Sequence, residues 1–118
     1  METIREAICY ANAFLVCRRF KDAKALALKT LPVTRRVLGN AHEYTLRMRS
    51  NYAEALYKAD DATLDDLREA ATTLGEVERI ARRVLGSAHP LTVEIEDDLR
   101  VARAALTARE TQSSSASA

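Results

Sequence analysis

An eight-residue phrase occurs twice in this chain. Arg35-Arg36-Val37-Leu38-Gly39-Asn40-Ala41-His42 returns 47 positions later as Arg82-Arg83-Val84-Leu85-Gly86-Ser87-Ala88-His89, with seven of eight residues the same. The agreement extends outward: Thr45 and Thr92 lie three residues beyond the His, and Val33 and Ile80 lie nine before it. Upstream, Cys9-Tyr10-Ala11-Asn12-Ala13 aligns with Asn51-Tyr52-Ala53-Glu54-Ala55 at an offset of 42. Self-similarity at such periods marks an array of supersecondary units, each burying its apolar faces against its neighbours. The five-residue difference between the offsets falls in Lys58–Asp66, where Asp60, Asp61 and Thr63 read as a lengthened turn inside the second unit.

The units are helical. Gly occurs three times and Pro twice in 118 residues, too seldom for the turns of a sandwich or barrel, and a core with six aromatic residues and no Trp must rest on Leu, Val, Ile and Ala. Apolar spacing predicts five helices. The first, about 2–18, puts Ile4, Ala7, Ile8, Ala11, Phe14 and Leu15 on one face. The second, about 20–37, uses Phe20, Ala23, Ala27 and Leu31 and closes at Gly39; Pro32 predicts a kink near Leu28 to Leu31, or an early end followed by a fresh turn. The third, about 43–58, runs through Leu46, Arg49, Ala53 and Leu56. The fourth starts behind a Thr63 cap supported by Asp66 and carries Leu67, Ala70, Leu74, Val77, Ala81 and Val84. The fifth, about 90–108, opens on Pro90, where a missing donor costs nothing, and buries Leu91, Ile95, Leu99, Ala102 and Leu106. Short connections make successive helices antiparallel. The division is a repeat domain over 1–109, with units at about 1–41 and 42–88 and a capping helix at 89–109, followed by a loose polar tail at 110–118.

Net charge is +1, which gives no global pull towards nucleic acid or an anionic membrane. Residues 1–58 nevertheless balance at +6 and residues 59–118 at −5. No stretch reaches the roughly 20 apolar residues of a membrane span, and the first residues lack a leader pattern, so the expectation is a cytoplasmic protein. Cys9 and Cys17, eight residues apart on one helix, are separated by about 12 Å, beyond disulfide reach of each other. They are expected to be reduced thiols buried in the core.

These units resemble the long tetratricopeptide repeats of the kinesin light chain type. The resemblance is carried in the first unit by Tyr10-Ala11, Phe14, Phe20-Lys21-Asp22-Ala23, Leu31, Val33, Val37-Leu38-Gly39 and His42. In the second it is carried by Asn51-Tyr52-Ala53, Leu56, Leu67, Ala70, Ile80, Val84-Leu85-Gly86, His89-Pro90 and Thr92. The period alone also fits HEAT-type repeats; the G-x-x-H turn and the Y-x-x-A-like helix start favour the tetratricopeptide pattern. Departures are Cys9 and Asp98 where Asn is expected, Glu43 in place of Pro after His42, and the longer second unit. The resemblance implies an all-α, right-handed α-solenoid of about two and a half helix-turn-helix repeats, with a concave groove lined by the first helix of each unit. Carried over residue by residue, the partner-binding candidates are Arg5, Cys9 and Asn12; Arg47, Asn51, Glu54 and Lys58; and Glu94, Asp98 and Val101. Such side chains satisfy the unpaired amides and carbonyls of an extended peptide; the competing reading is a set of solvated helix faces.

Chemical readings are weaker. His42 and His89 sit in matching turns 47 residues apart, which suits capping of the next helix better than a metal site with its paired ligands at short spacing. The acidic pairs lack a calcium-loop pattern, and Asp65-Asp66 suit a helix start. No base is placed to activate either Cys, so neither catalysis nor a cofactor or metal is expected. The Arg pairs lie at helix ends, where cations complement the dipole, and nucleic acid is disfavoured. The expected partner is a protein or peptide segment, with no small-molecule substrate and no membrane. The alternative is a self-associating structural piece, a head-to-tail homo-oligomer through exposed end helices.

Overall fold

The computed structural model describes residues 3–117. Five α-helices follow in order: α1 (Ile4–Val16), α2 (Phe20–Leu38), α3 (Glu43–Lys58), α4 (Leu64–Val84) and α5 (Pro90–Ser117). The described residues contain no strand.

Local chemistry sets the helix ends. Thr3 caps α1 by accepting the Glu6 N–H at 3.1 Å. Thr63 and Asp66 form a reciprocal capping box at α4, with both bonds at 3.0 Å. Gly39 and Gly86 close α2 and α4 with φ of +87° and +93°. Gly39 combines this with ψ 169°, an extended conformation open essentially to glycine alone rather than the left-handed helical one. α1 ends without a glycine. Arg18 takes φ +59°, its N–H donates to the Leu15 carbonyl and the Arg19 N–H donates to the Phe14 carbonyl at 2.7 Å, the paired bonds of a Schellman ending.

α2 covers the range expected of it, and of the two alternatives at Pro32 the early end is not seen: the helix runs through the proline to Leu38. The proline and Leu28, whose carbonyl loses its helical donor, are both exposed, so water can serve that oxygen. α5 continues past 109 to Ser117, over most of the segment expected to be a loose tail; residue 118 lies outside the described residues. No Gly or Pro interrupts the run after Leu106, and once a helix is established each further residue adds a hydrogen bond without a new nucleation cost.

Contacts between helices give their directions. Arg49 to Glu76 and Tyr52 to Glu69 set α4 antiparallel to α3, and Arg82 to Glu96 and Arg109 to Ala62 set α5 antiparallel to α4. Asn12 to Asn51 and Arg18 to Asp60 set α3 parallel to α1, while Arg47 to Glu94 and Tyr57 to Asp98 do the same for α5 and α3. α3 touches every other helix, whereas α1 and α2 touch neither α4 nor α5.

Burial follows. In α3, Thr45, Leu46, Met48, Arg49, Ser50, Asn51, Ala53, Ala55, Leu56 and Tyr57 are all buried. One apolar cluster joins α3, α4 and α5 through Leu46, Leu56, Leu67, Leu74, Val77, Leu91 and Ile95. A second joins Ala7, Ile8, Ala11, Ala27, Leu31 and Met48, and a third joins Leu15, Phe20, Ala23 and Ala55. Val84, expected in the α4 seam, is 49% exposed because the helix ends there beyond the reach of α5.

Candidate functional site

α1, α3 and α5 present polar side chains to one hollow of ≈ 350 Å³. Its lining is Asn12, Leu15 and Val16 from α1, Arg47, Asn51, Glu54 and Lys58 from α3, and Glu94 from α5. Six of the ten predicted partner-binding residues therefore meet in one place. Parallel helices make this happen: residues at equivalent heights on successive odd-numbered helices fall side by side.

The polar groups are already paired, two of the pairs between helices and one within α3. Asn51, only 4% exposed, donates its amide N–H to Asn12 Oδ1 at 3.0 Å. Arg47 donates to Glu94 Oε2 at 2.8 Å, and Lys58 donates to Glu54 Oε2 at 2.9 Å. Glu94 and Lys58 retain solvent access, whereas Glu54 is largely covered, so the Arg47–Glu94 pair is the one a ligand group could replace at smaller cost.

Asp98 stands behind the hollow rather than lining it. Its Oδ1 accepts the Tyr57 hydroxyl at 2.8 Å, and its Oδ2 is buried without a hydrogen-bond partner. Burial pushes its pKa up to about 6; the Tyr57 hydrogen bond and Lys58 oppose the rise, and Glu54 and Glu94 add to it. The Tyr57 hydroxyl is itself pushed well above the usual phenol range, by burial first and then by Asp98. Tyr57 was absent from the predicted set. It lies three residues after Glu54, a helical spacing that could have drawn attention to it.

Three predicted residues are placed elsewhere. Arg5 and Cys9 line a separate hollow on α1 with Thr3, Glu6 and Tyr10, and Val101 is half exposed on α5 away from the lining. Cys9 and Cys17 are both exposed, correcting the expectation of core thiols. α2 and α3 cover only the Ala7, Ile8, Ala11 and Leu15 side of α1; Cys9 lies off that side, and Cys17 is already the residue after the last turn.

The two repeated turns use one geometry. His42 Nδ1 accepts the Tyr44 N–H at 3.0 Å and His89 Nδ1 accepts the Leu91 N–H at 3.1 Å, so each imidazole caps the helix that follows. With Nδ1 accepting, the proton belongs to Nε2, which in His89 lies 3.5 Å from Glu43 Oε1. Thr45 Oγ1 donates to the Gly39 carbonyl at 2.7 Å, but the equivalent Thr92 Oγ1 is buried without a partner.

Among the described residues no group of three or more His, Cys, Asp or Glu is arranged to hold a metal ion, and no helix is long and apolar enough to cross a membrane. Comparison with family models, with curated proteins and with solved structures gives no match.

Proposed function

We propose that this chain is a non-catalytic scaffold that holds an extended segment of another protein in the hollow of α1, α3 and α5. On this reading the helices form a short right-handed solenoid of the tetratricopeptide kind, with α1–α2 and α3–α4 as units and α5 as the first helix of an incomplete third. The observation that carries the proposal is the convergence of Asn12, Arg47, Asn51, Glu54, Lys58 and Glu94 from three parallel helices on one hollow. Amide, cationic and anionic groups side by side complement a peptide backbone with mixed side chains. Matching His caps in the two turns support the repeat reading.

A random-peptide display library selected on the whole immobilised chain tests this. Peptides recovered should lose affinity at least tenfold on Arg47→Ala and on Lys58→Ala, and should be indifferent to Arg79→Ala on the exposed side of α4. Failure to enrich any peptide, or enrichment insensitive to Arg47 and Lys58, refutes the assignment.

A further inference from the structure

We propose that the trough between α2 and α4 is a second binding site, which takes the last residue of a peptide with a free carboxylate and an apolar side chain. α2 and α4 both pack on α3 but do not touch each other, so α3 forms the floor of a trough between them. A hollow of ≈ 260 Å³ lies there and shares no lining residue with the hollow of α1, α3 and α5. Arg47 belongs to that other hollow and Arg49 to this one; two residues apart, they lie about 200° from each other round α3.

The floor carries a buried cation. Arg49 is 9% exposed, and Glu76 Oε2 at 3.2 Å is its one ionic partner among the described residues. A guanidinium presents five N–H donors in a fixed fork, and a buried charge is costly unless it is both paired and hydrogen-bonded. A single contact leaves most of that fork unused, on a side chain that lines the hollow. Arg35 brings a second guanidinium to the same lining from α2, where it is exposed.

The rest of the lining narrows the ligand. Among its charged residues two arginines stand against Glu69, a balance of +1, which one carboxylate neutralises and a doubly charged phosphate overshoots. Glu69 is engaged by the Tyr52 hydroxyl, which burial first and then Glu69 push up to about 12, so the phenol stays a donor to it. The Glu76 side chain is 51% exposed and turns to water at small cost when a carboxylate takes Arg49. Leu31 and Pro32 offer an apolar wall, and because Pro32 has no N–H the Leu28 carbonyl beside it lacks its helical donor.

These features match the end of a peptide part by part. Its carboxylate takes the forks of Arg35 and Arg49, its last amide N–H donates to the Leu28 carbonyl, and its side chain lies on Leu31 and Pro32. An internal segment brings no carboxylate, and a free small acid brings no amide donor. The hollow falls below the roughly 300–1,000 Å³ of pockets for drug-sized ligands, which suits one residue rather than a strand or helix.

NMR titration of the whole nitrogen-15-labelled chain with two pentapeptides tests the proposal: Gly-Gly-Gly-Ala-Leu with a free carboxylate, and the same sequence ending in an amide. The acid should shift the amide signals of Leu28, Arg35, Arg49 and Thr73, and the amide form should bind at least tenfold more weakly. Arg35→Ala should weaken the acid at least tenfold, and Pro32→Ala, which gives the Leu28 carbonyl a helical N–H, several-fold, both with unchanged helix content. Arg47→Ala, in the other hollow, should leave the affinity within twofold. No shifts at millimolar peptide, equal affinity for acid and amide, indifference to Arg35→Ala or Pro32→Ala, or a loss on Arg47→Ala as large as on Arg35→Ala overturns the proposal.

Discussion

Replacing Asp98 by Asn should make the protein progressively more stable, relative to the parent, as pH rises from about 4 to about 7.5. In the parent, one carboxylate oxygen accepts from Tyr57 and the other is buried without a partner, so ionisation is opposed and the pKa rises from 3.8 to about 6. The folded state then binds this proton more tightly than the unfolded chain. Asp98's contribution to stability is fully present below about pH 4 and is lost as pH rises through about 6. A shift of roughly two units at about 1.4 kcal/mol each sets a ceiling of about 3 kcal/mol. Partial exposure of the group reduces this by screening to about 1–1.5 kcal/mol. Asn keeps an oxygen for Tyr57 and does not titrate, while its new amide donors add an offset that does not vary with pH. Urea unfolding of both proteins, followed by helical circular dichroism at several pH values across that window, gives the difference directly. A difference that stays flat, or that falls with rising pH, refutes the account of Asp98.

Thr63→Ala removes the Oγ1 acceptor of the Asp66 N–H while leaving the backbone N–H of residue 63 to donate to the Asp66 carboxylate, and should cost about 1 kcal/mol in the same urea assay. Gly39→Ala should cost about 1–3 kcal/mol although nothing lies within 4 Å of the added methyl, because the cost is in the backbone conformation; unchanged stability would show that the turn relaxes. Pro32→Ala should stabilise by about 1–2 kcal/mol, since it restores an N–H opposite the Leu28 carbonyl in a helix that already passes through this position. Loss of stability there would mean that the proline ring packs where the backbone geometry does not require it.

Local features of the fold were legible in the sequence because their causes lie within a few residues. Thr63 with Asp66, the two closing glycines, Pro90 at a first turn and the His caps each occupy the position that short-range chemistry assigns them. Features that depend on which side of a helix is covered were less so. Cys9 is adjacent to the buried Ile8, and only the placement of α2 and α3 decides that it faces outward. The close of α1 at Arg18 gave no signal because it uses an arginine at a position usually held by glycine. Asp98 belongs to the same stripe as Asn51, 47 residues earlier, and was placed on α5 correctly as a position. Its depth comes from Tyr57 reaching across from α3, which no periodicity reports.

The polar groups that line the hollow also bridge successive odd-numbered helices. Asn12 with Asn51 ties α1 to α3, and Arg47 with Glu94 ties α3 to α5. A peptide carboxylate or carbonyl that takes Arg47 releases Glu94, which can then accept a peptide N–H, so the exchange leaves no buried charge unpaired. Exposed pairs of this kind are worth only about 0–1 kcal/mol each, and a partner loses little by replacing them. A segment lying across Asn12, Arg47 and Glu94 touches all three odd-numbered helices at once. Its affinity therefore depends on their relative positions, which are maintained by the apolar clusters through Met48, Ala55, Leu91 and Ile95 and not by the polar pairs it displaces. On the proposed reading, the apolar packing keeps the hollow in shape when a bound segment takes over its polar lining.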